Sequence, residues 1–180
     1  ERHSGPTTTH INLEGKTVVP GFNDCHMHIL PYGLDLARAD LSPQAGVRDV
    51  SSLVRALQRW AEANPNAEWV IGSRYDQNTF PSAAHPTRQD LDRAFSDRPV
   101  YIRQTSGHAA SCNSVALQLA GVTKDTEDPA GGEIVRDATG EPTGVLLESA
   151  MGAVSSAIPK PTWGEIVDAI IKASDALLAK

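Results

Sequence analysis

The 180 residues carry 22 acidic against 16 basic side chains, for a formal net charge of −6, and 40% of them are apolar. With no Lys/Arg cluster the chain lacks the electrostatic footprint of a nucleic-acid binder, and no apolar run approaches the ~20 residues of a membrane-spanning helix. Two cysteines, Cys25 and Cys112, are too few for a disulfide framework and fit a reducing compartment. The opening Glu1-Arg2-His3-Ser4-Gly5-Pro6 has no apolar signal core, so a cytoplasmic location is the default expectation.

In chain order, Ile11 and Leu13 alternate around Asn12 like the tail of a strand, and Glu14-Gly15-Lys16 reads as a tight turn. The apolar run Thr17 to Phe22 predicts a strand continuing into Asp24-Cys25-His26-Met27-His28. Pro31, Gly33, Pro43 and Gly46 make 29–47 a loop with short helical pieces at most. Leu53, Val54, Leu57, Trp60 and Ala61 recur at helical spacing, predicting a helix over 50–64 that closes before Pro65. A short strand over 68–72, a helix over 87–95 and a strand over 100–103 follow, each strand trailing a polar tip: Ser73 to Gln77, then Gln104 to His108. A helix is expected from Ser111 or Asn113 to Ala120, then a loop over 122–132 and a hairpin of 133–136 with 144–148. Thr162-Trp163-Gly164-Glu165 is a capping-box pattern opening a final helix with Ile166, Ala169, Ile170, Ala173 and Leu177 on its buried stripe.

Alternating strands and helices argue for an α/β parallel architecture, and apolar strands with polar tips fit a barrel whose active site lies at one rim. A closed eight-stranded barrel takes ~250 residues, so three or four such units imply a portion of one. On the first strand, alternation of side chains would project Asp24, His26 and His28 from one face. Two imidazoles converging on one point are ligands for zinc or a similar divalent ion, and a carboxylate beside them can orient a ring. A solvated His pair is the plain alternative, and for Asp24 it is a strand-end cap.

Gly15 to His28, with its Pro20-Gly21-Phe22-Asn23-Asp24-Cys25-His26-Met27-His28 core, resembles the first barrel strand of the amidohydrolase superfamily. Arg103 to Ala110 with Asn113 to Leu117, and Gly140 to Glu148, resemble amidohydrolase family 3, the branch containing enzymes similar to N-substituted formamide deformylase. The resemblance implies a partial (β/α)8 TIM-like barrel of the metal-dependent hydrolase type. Residues 1–17 would be the end of a composite β-sandwich and the strand leading into the barrel. Residues 18–180 would be the N-terminal part of the barrel, with a loop and hairpin insertion over 122–148. It also implies one or two divalent metals, commonly zinc, with His26 and His28 as the first ligand pair and Glu148 carried into the bridging position. After His108 there is no further histidine, so the later ligands and the catalytic Asp are expected beyond Lys180.

His108 at the third strand tip is a candidate for substrate or transition-state contact, against the plain reading of a cap or core histidine. Asp76 is a candidate for lining the barrel mouth, with Arg74 read as a surface ion-pair partner. Arg103 and Asn113 default to structural hydrogen bonding. A Cys112-His108 nucleophile pair lacks a third orienting group, and Ser106-Gly107-His108 lacks the serine-hydrolase elbow. The expected function is a metal-dependent hydrolase of amide or other non-peptide C–N bonds acting on a small amide-type molecule, as a monomer or a homodimer. A metal-assisted isomerase, a C–O hydrolase on the same scaffold and an inert structural fragment are the alternatives.

Overall fold

In the computed structural model, which describes residues 3–21 and 24–179, a six-stranded mixed sheet organises the chain. Its order is β1-β2-β3-β4-β6-β5, with β1 at Ala39–Asp40, β2 at Val70–Tyr75, β3 at Val100–Gln104, β4 at Ala109–Cys112, β5 at Gly132–Arg136 and β6 at Pro142–Glu148. The first three strands are parallel, as the strand-helix alternation predicts; the rest of the ladder is antiparallel. The parallel order expected for the third strand and its successor fails at Gln104, where the chain turns back through Thr105–His108 instead of crossing over. Gly107 at φ +80 and a hydrogen bond from its N–H to the Gln104 carbonyl make that turn.

Helix α1 covers Ile29–Asp35, α2 Val50–Ala63, α3 Arg88–Asp92, α4 Ser114–Leu119, α5 Met151–Ser155 and α6 Trp163–Leu178. The Asp49 carboxylate accepts from Ser52 N–H at 2.6 Å while the Ser52 hydroxyl accepts from Asp49 N–H at 3.1 Å, a capping box that opens α2. Thr162 and Glu165 do the same for α6, and the hydrogen bond from Thr162 N–H holds the Glu165 carboxyl below its ordinary pKa.

Two cores lie on the two faces of the sheet. Val70, Val100 and Ile102 pack with Leu53 and Leu57 of α2 and with Leu91 and Phe95, while Tyr101, Cys112, Ala110 and Leu146 pack with Ala116, Leu117 and Val154. At roughly 25 cal/mol per Å² of apolar surface removed from water, these clusters supply the main driving force for the fold.

Two further expectations give way. Of the strand expected over 17–28, Phe22 and Asn23 lie outside the described residues, and no strand forms on either side of them. Among the described residues no strand lies beside this segment, and Val18 and Val19 are 69% and 62% exposed. A strand without a partner leaves its N–H and C=O groups to solvent, and its alternating pattern then has no face to bury. Of the two starts expected for the next helix, Ser111 gives way and Asn113 holds as the N-cap of α4, because Ala109–Cys112 is recruited as a strand between β3 and β6. Of the described helices, none is long and apolar enough to cross a membrane.

Strand directions decide where the chemistry sits. β3 and β6 run the same way, both antiparallel to β4, so Glu148 at the end of β6 shares one edge of the sheet with Asp40, Asp76 and the Gln104–His108 turn. The hairpin of β5 and β6 is continuous with this sheet through β4.

Candidate active site at the sheet edge

Glu148 N–H donates to the His108 carbonyl at 2.9 Å, one step past the Ala109–Leu147 register pair. That ladder brings the two side chains together: His108 Nδ1 lies 2.8 Å from Glu148 Oε2, both largely exposed. Glu148 holds φ +50, a left-handed conformation that costs a non-glycine residue on the order of 1 kcal/mol. The sequence pointed to each residue separately; their pairing comes from register, which the long intervening stretch of chain conceals.

His26 and His28 are also brought together, by a different device. The Asp24 carboxylate accepts from His26 N–H at 3.0 Å, closing a local turn, and His28 caps α1, its carbonyl accepting from Tyr32 N–H. The two rings face edge to plane with centres 5.2 Å apart. Two imidazoles bound to one tetrahedral ion at about 2.0–2.1 Å per Zn–N bond have their centres roughly 5 Å apart, so the separation suits a shared divalent ion. The number of donors does not complete such a site. Among the described residues no three His, Cys, Asp or Glu side chains gather where a metal could sit, and Glu148 is paired with His108 instead.

At the tip of β2 the residues singled out from the sequence separate. Asp76 folds onto its own turn, Oδ1 accepting from the backbone and side-chain nitrogens of Asn78 at 3.0 Å each. Arg74 pairs with Asp40 at 2.7 Å and sits at φ +72, where the β2–β3 register slips between Ser73 and Tyr75. Tyr75 turns inward and is fully buried, its hydroxyl 2.8 Å from His85 Nδ1 and 3.3 Å from Ser111 Oγ. Burial pushes the Tyr75 phenol up and the His85 imidazole down, so both are neutral near pH 7. Sequence reasoning missed His85, which lies in a Pro-rich loop without periodicity.

Arg103 bonds the Asp35 carboxylate at 3.0 Å, and Arg38 shares that carboxylate at 2.8 Å. Asn113 is structural: Oδ1 accepts from Val100 and Ala116 N–H, and Nδ2 donates to the Phe95 and Arg98 carbonyls, all at 2.9–3.0 Å. The Ser106 hydroxyl donates to Gln104 inside the turn. Burial pushes the Cys112 thiol up to about 12, and its Sγ faces the Gly144 carbonyl, which removes it as a nucleophile.

This arrangement belongs to a known class of fold. The crystal structure of an uncharacterized metal-dependent hydrolase from Pyrococcus horikoshii OT3 matches 87% of this chain and 28% of its own length, with a TM-score of 0.59 at 25% identity. The chain belongs to the amidohydrolase family, whose model matches residues 9–177. It is 37% identical over 174 residues to a protein named amidohydrolase YtcJ from Bacillus subtilis (strain 168), covering 97% of this chain and 32% of the relative. It is 35% identical over 167 residues to the N-substituted formamide deformylase of Arthrobacter pascens, covering 92% of this chain and 30% of that enzyme. The chain therefore spans about a third of the length of the curated relatives it matches.

Proposed function

We propose that this chain is part of a metal-dependent hydrolase of amide or other non-peptide C–N bonds, contributing His26, His28 and Glu148 to the metal centre. On this reading the chain forms the N-terminal portion of a (β/α)8 barrel enzyme, and the remaining donors come from outside these 180 residues. The observation that carries it is the His26–His28 pair, two exposed imidazoles at 5.2 Å with no hydrogen bond to either ring among the described residues. Family membership and the likeness to metal-dependent hydrolases support the same reading.

When bound, a divalent ion such as zinc supplies Lewis-acid polarisation of a carbonyl and activation of water. The chain's own groups do the rest. With Nδ1–H donated to the Glu148 carboxylate, His108 has Nε2 as its free acceptor, the tautomer suited to holding a proton from substrate. Glu148 accepts on Oε2, which leaves Oε1 for a metal. Asp24 spends its carboxylate on the turn that sets His26, so its role is positional.

The test is a screen of formamides, N-acyl amino acids and cyclic amides with the longest form of the protein that carries this chain, together with its metal content. Turnover that needs a copurifying divalent ion and falls on the order of 10³-fold in His26→Ala and His28→Ala is expected. Unchanged turnover in both variants contradicts the proposal.

A further inference from the structure

On the face of the sheet carrying Tyr101, a cavity of about 320 Å³ lies between β2, β3, α5 and the 158–161 connection to α6. Its charged walls are all cationic: Arg38, Arg103 and Lys160. Asp35 accepts from both arginines, so one carboxylate stands against three cations and the cavity keeps an excess of positive charge. Sharing one carboxylate also fixes the two guanidiniums in place while leaving each with further N–H donors.

Uncharged donors complete the polar end. Tyr101 is buried, and burial pushes its phenol up to about 12, so its hydroxyl is protonated at neutral pH; Ser155 lines the same cavity.

A second cavity of about 640 Å³ shares the walls Arg38, Ile71, Ile158, Pro159 and Pro161 with the first and adds Trp60 and Trp69. The acidic side chains Glu68, Glu165 and Asp168 line this larger cavity and not the smaller one. Charge thus orients an occupant, its anionic group toward the arginines and its apolar body toward the tryptophans. From the three cations, the Tyr101 and Ser155 hydroxyls and the adjoining Trp60 and Trp69, we infer that this paired cavity binds a small organic carboxylate bearing an apolar substituent. None of its walls is His26, His28, Glu148 or His108, so the inference stands apart from the metal reading.

The experiment is an NMR titration of the 180-residue chain with N-benzoylglycine, the neutral N-methylbenzamide and inorganic phosphate. N-benzoylglycine should give saturable shifts at the backbone amides of Ile71, Tyr101, Arg103 and Ile158, and bind about tenfold more tightly than either other probe. Lys160→Ala and Arg38→Met, which leave the Asp35–Arg103 bridge intact, should each weaken it several-fold with unchanged thermal melts. Absence of saturable shifts at these amides overturns the inference. So does equal binding of N-methylbenzamide, phosphate binding as tight as N-benzoylglycine, or undiminished affinity in both folded variants.

Discussion

The two histidine-bearing regions of this chain are built by opposite means. His108 and Glu148 stand on a ladder of six strands, fixed by the β4–β6 register and backed by the buried Ala110, Leu146 and Ile134. His26 and His28 stand on an exposed segment, held by one Asp24 turn and the start of α1. Rigid elements can hold a side chain at a strained φ, as at Glu148; a segment outside the core has only local hydrogen bonds to spend. A site drawing on both regions would therefore be assembled by its ligand on one side and preorganised on the other.

This contrast breaks first in the sheet. Gly144 has φ +89, and an added Cβ would lie 2.3 Å from the Cys112 carbonyl oxygen. Gly144→Ala should cost roughly 3 kcal/mol or more in urea unfolding, since strain and overpacking act together. Asn113→Ala removes four hydrogen bonds, three of them buried and one of them the α4 cap, and a loss of about 3 kcal/mol is expected by the same measurement.

At the edge, Glu148→Gly relieves the left-handed strain and gives up only an exposed hydrogen bond to His108. Thermal denaturation should find it as stable as the parent chain or up to about 1 kcal/mol more so. A clear loss would mean that the His108 pair, not a ligand, keeps glutamate there.

A pH dependence follows from His85. Its folded pKa lies below the unfolded value, so the unfolded chain binds the extra proton and stability falls as pH drops from about 6.5 toward the folded pKa. Melts between about pH 8 and 5 should show that fall, and His85→Gln should flatten it. The smallest effect belongs to the exposed segment: His26→Ala should change unfolding free energy by less than about 0.5 kcal/mol. A large loss there would erase the contrast between the regions.

Much of the fold was legible because periodicity reports burial. Leu53 and Leu57 marked α2, Thr162 and Glu165 the start of α6, and the two runs ending at Arg136 and Glu148 the hairpin. β4 was illegible because Ala109-Ala110-Ser111-Cys112 has no strong strand propensity; its extension is imposed by neighbours on both sides. The described part of the run, Thr17 to Gly21, misled for the converse reason, since strong local preference cannot make a strand without a partner. At the site, the chemical identity of His26, His28, His108 and Glu148 could be read from residue types and motif. Their pairing could not, because register and the Asp24 turn are tertiary and local-backbone facts. Tyr75, at a tip that looked polar and exposed, shows the same limit: the slip at Arg74 turns it inward.

The metal reading turns on His26 and His28 acting as one ligand pair for a divalent ion. A titration of the longest form of the protein that carries this chain with Co²⁺, followed by visible absorption and by the histidine ring signals in NMR, puts that pairing to the test. One saturable ion per chain is expected, with both rings shifting together and binding lost in His28→Ala. Rings that respond independently, or no more than those of His3 and His10, would contradict it.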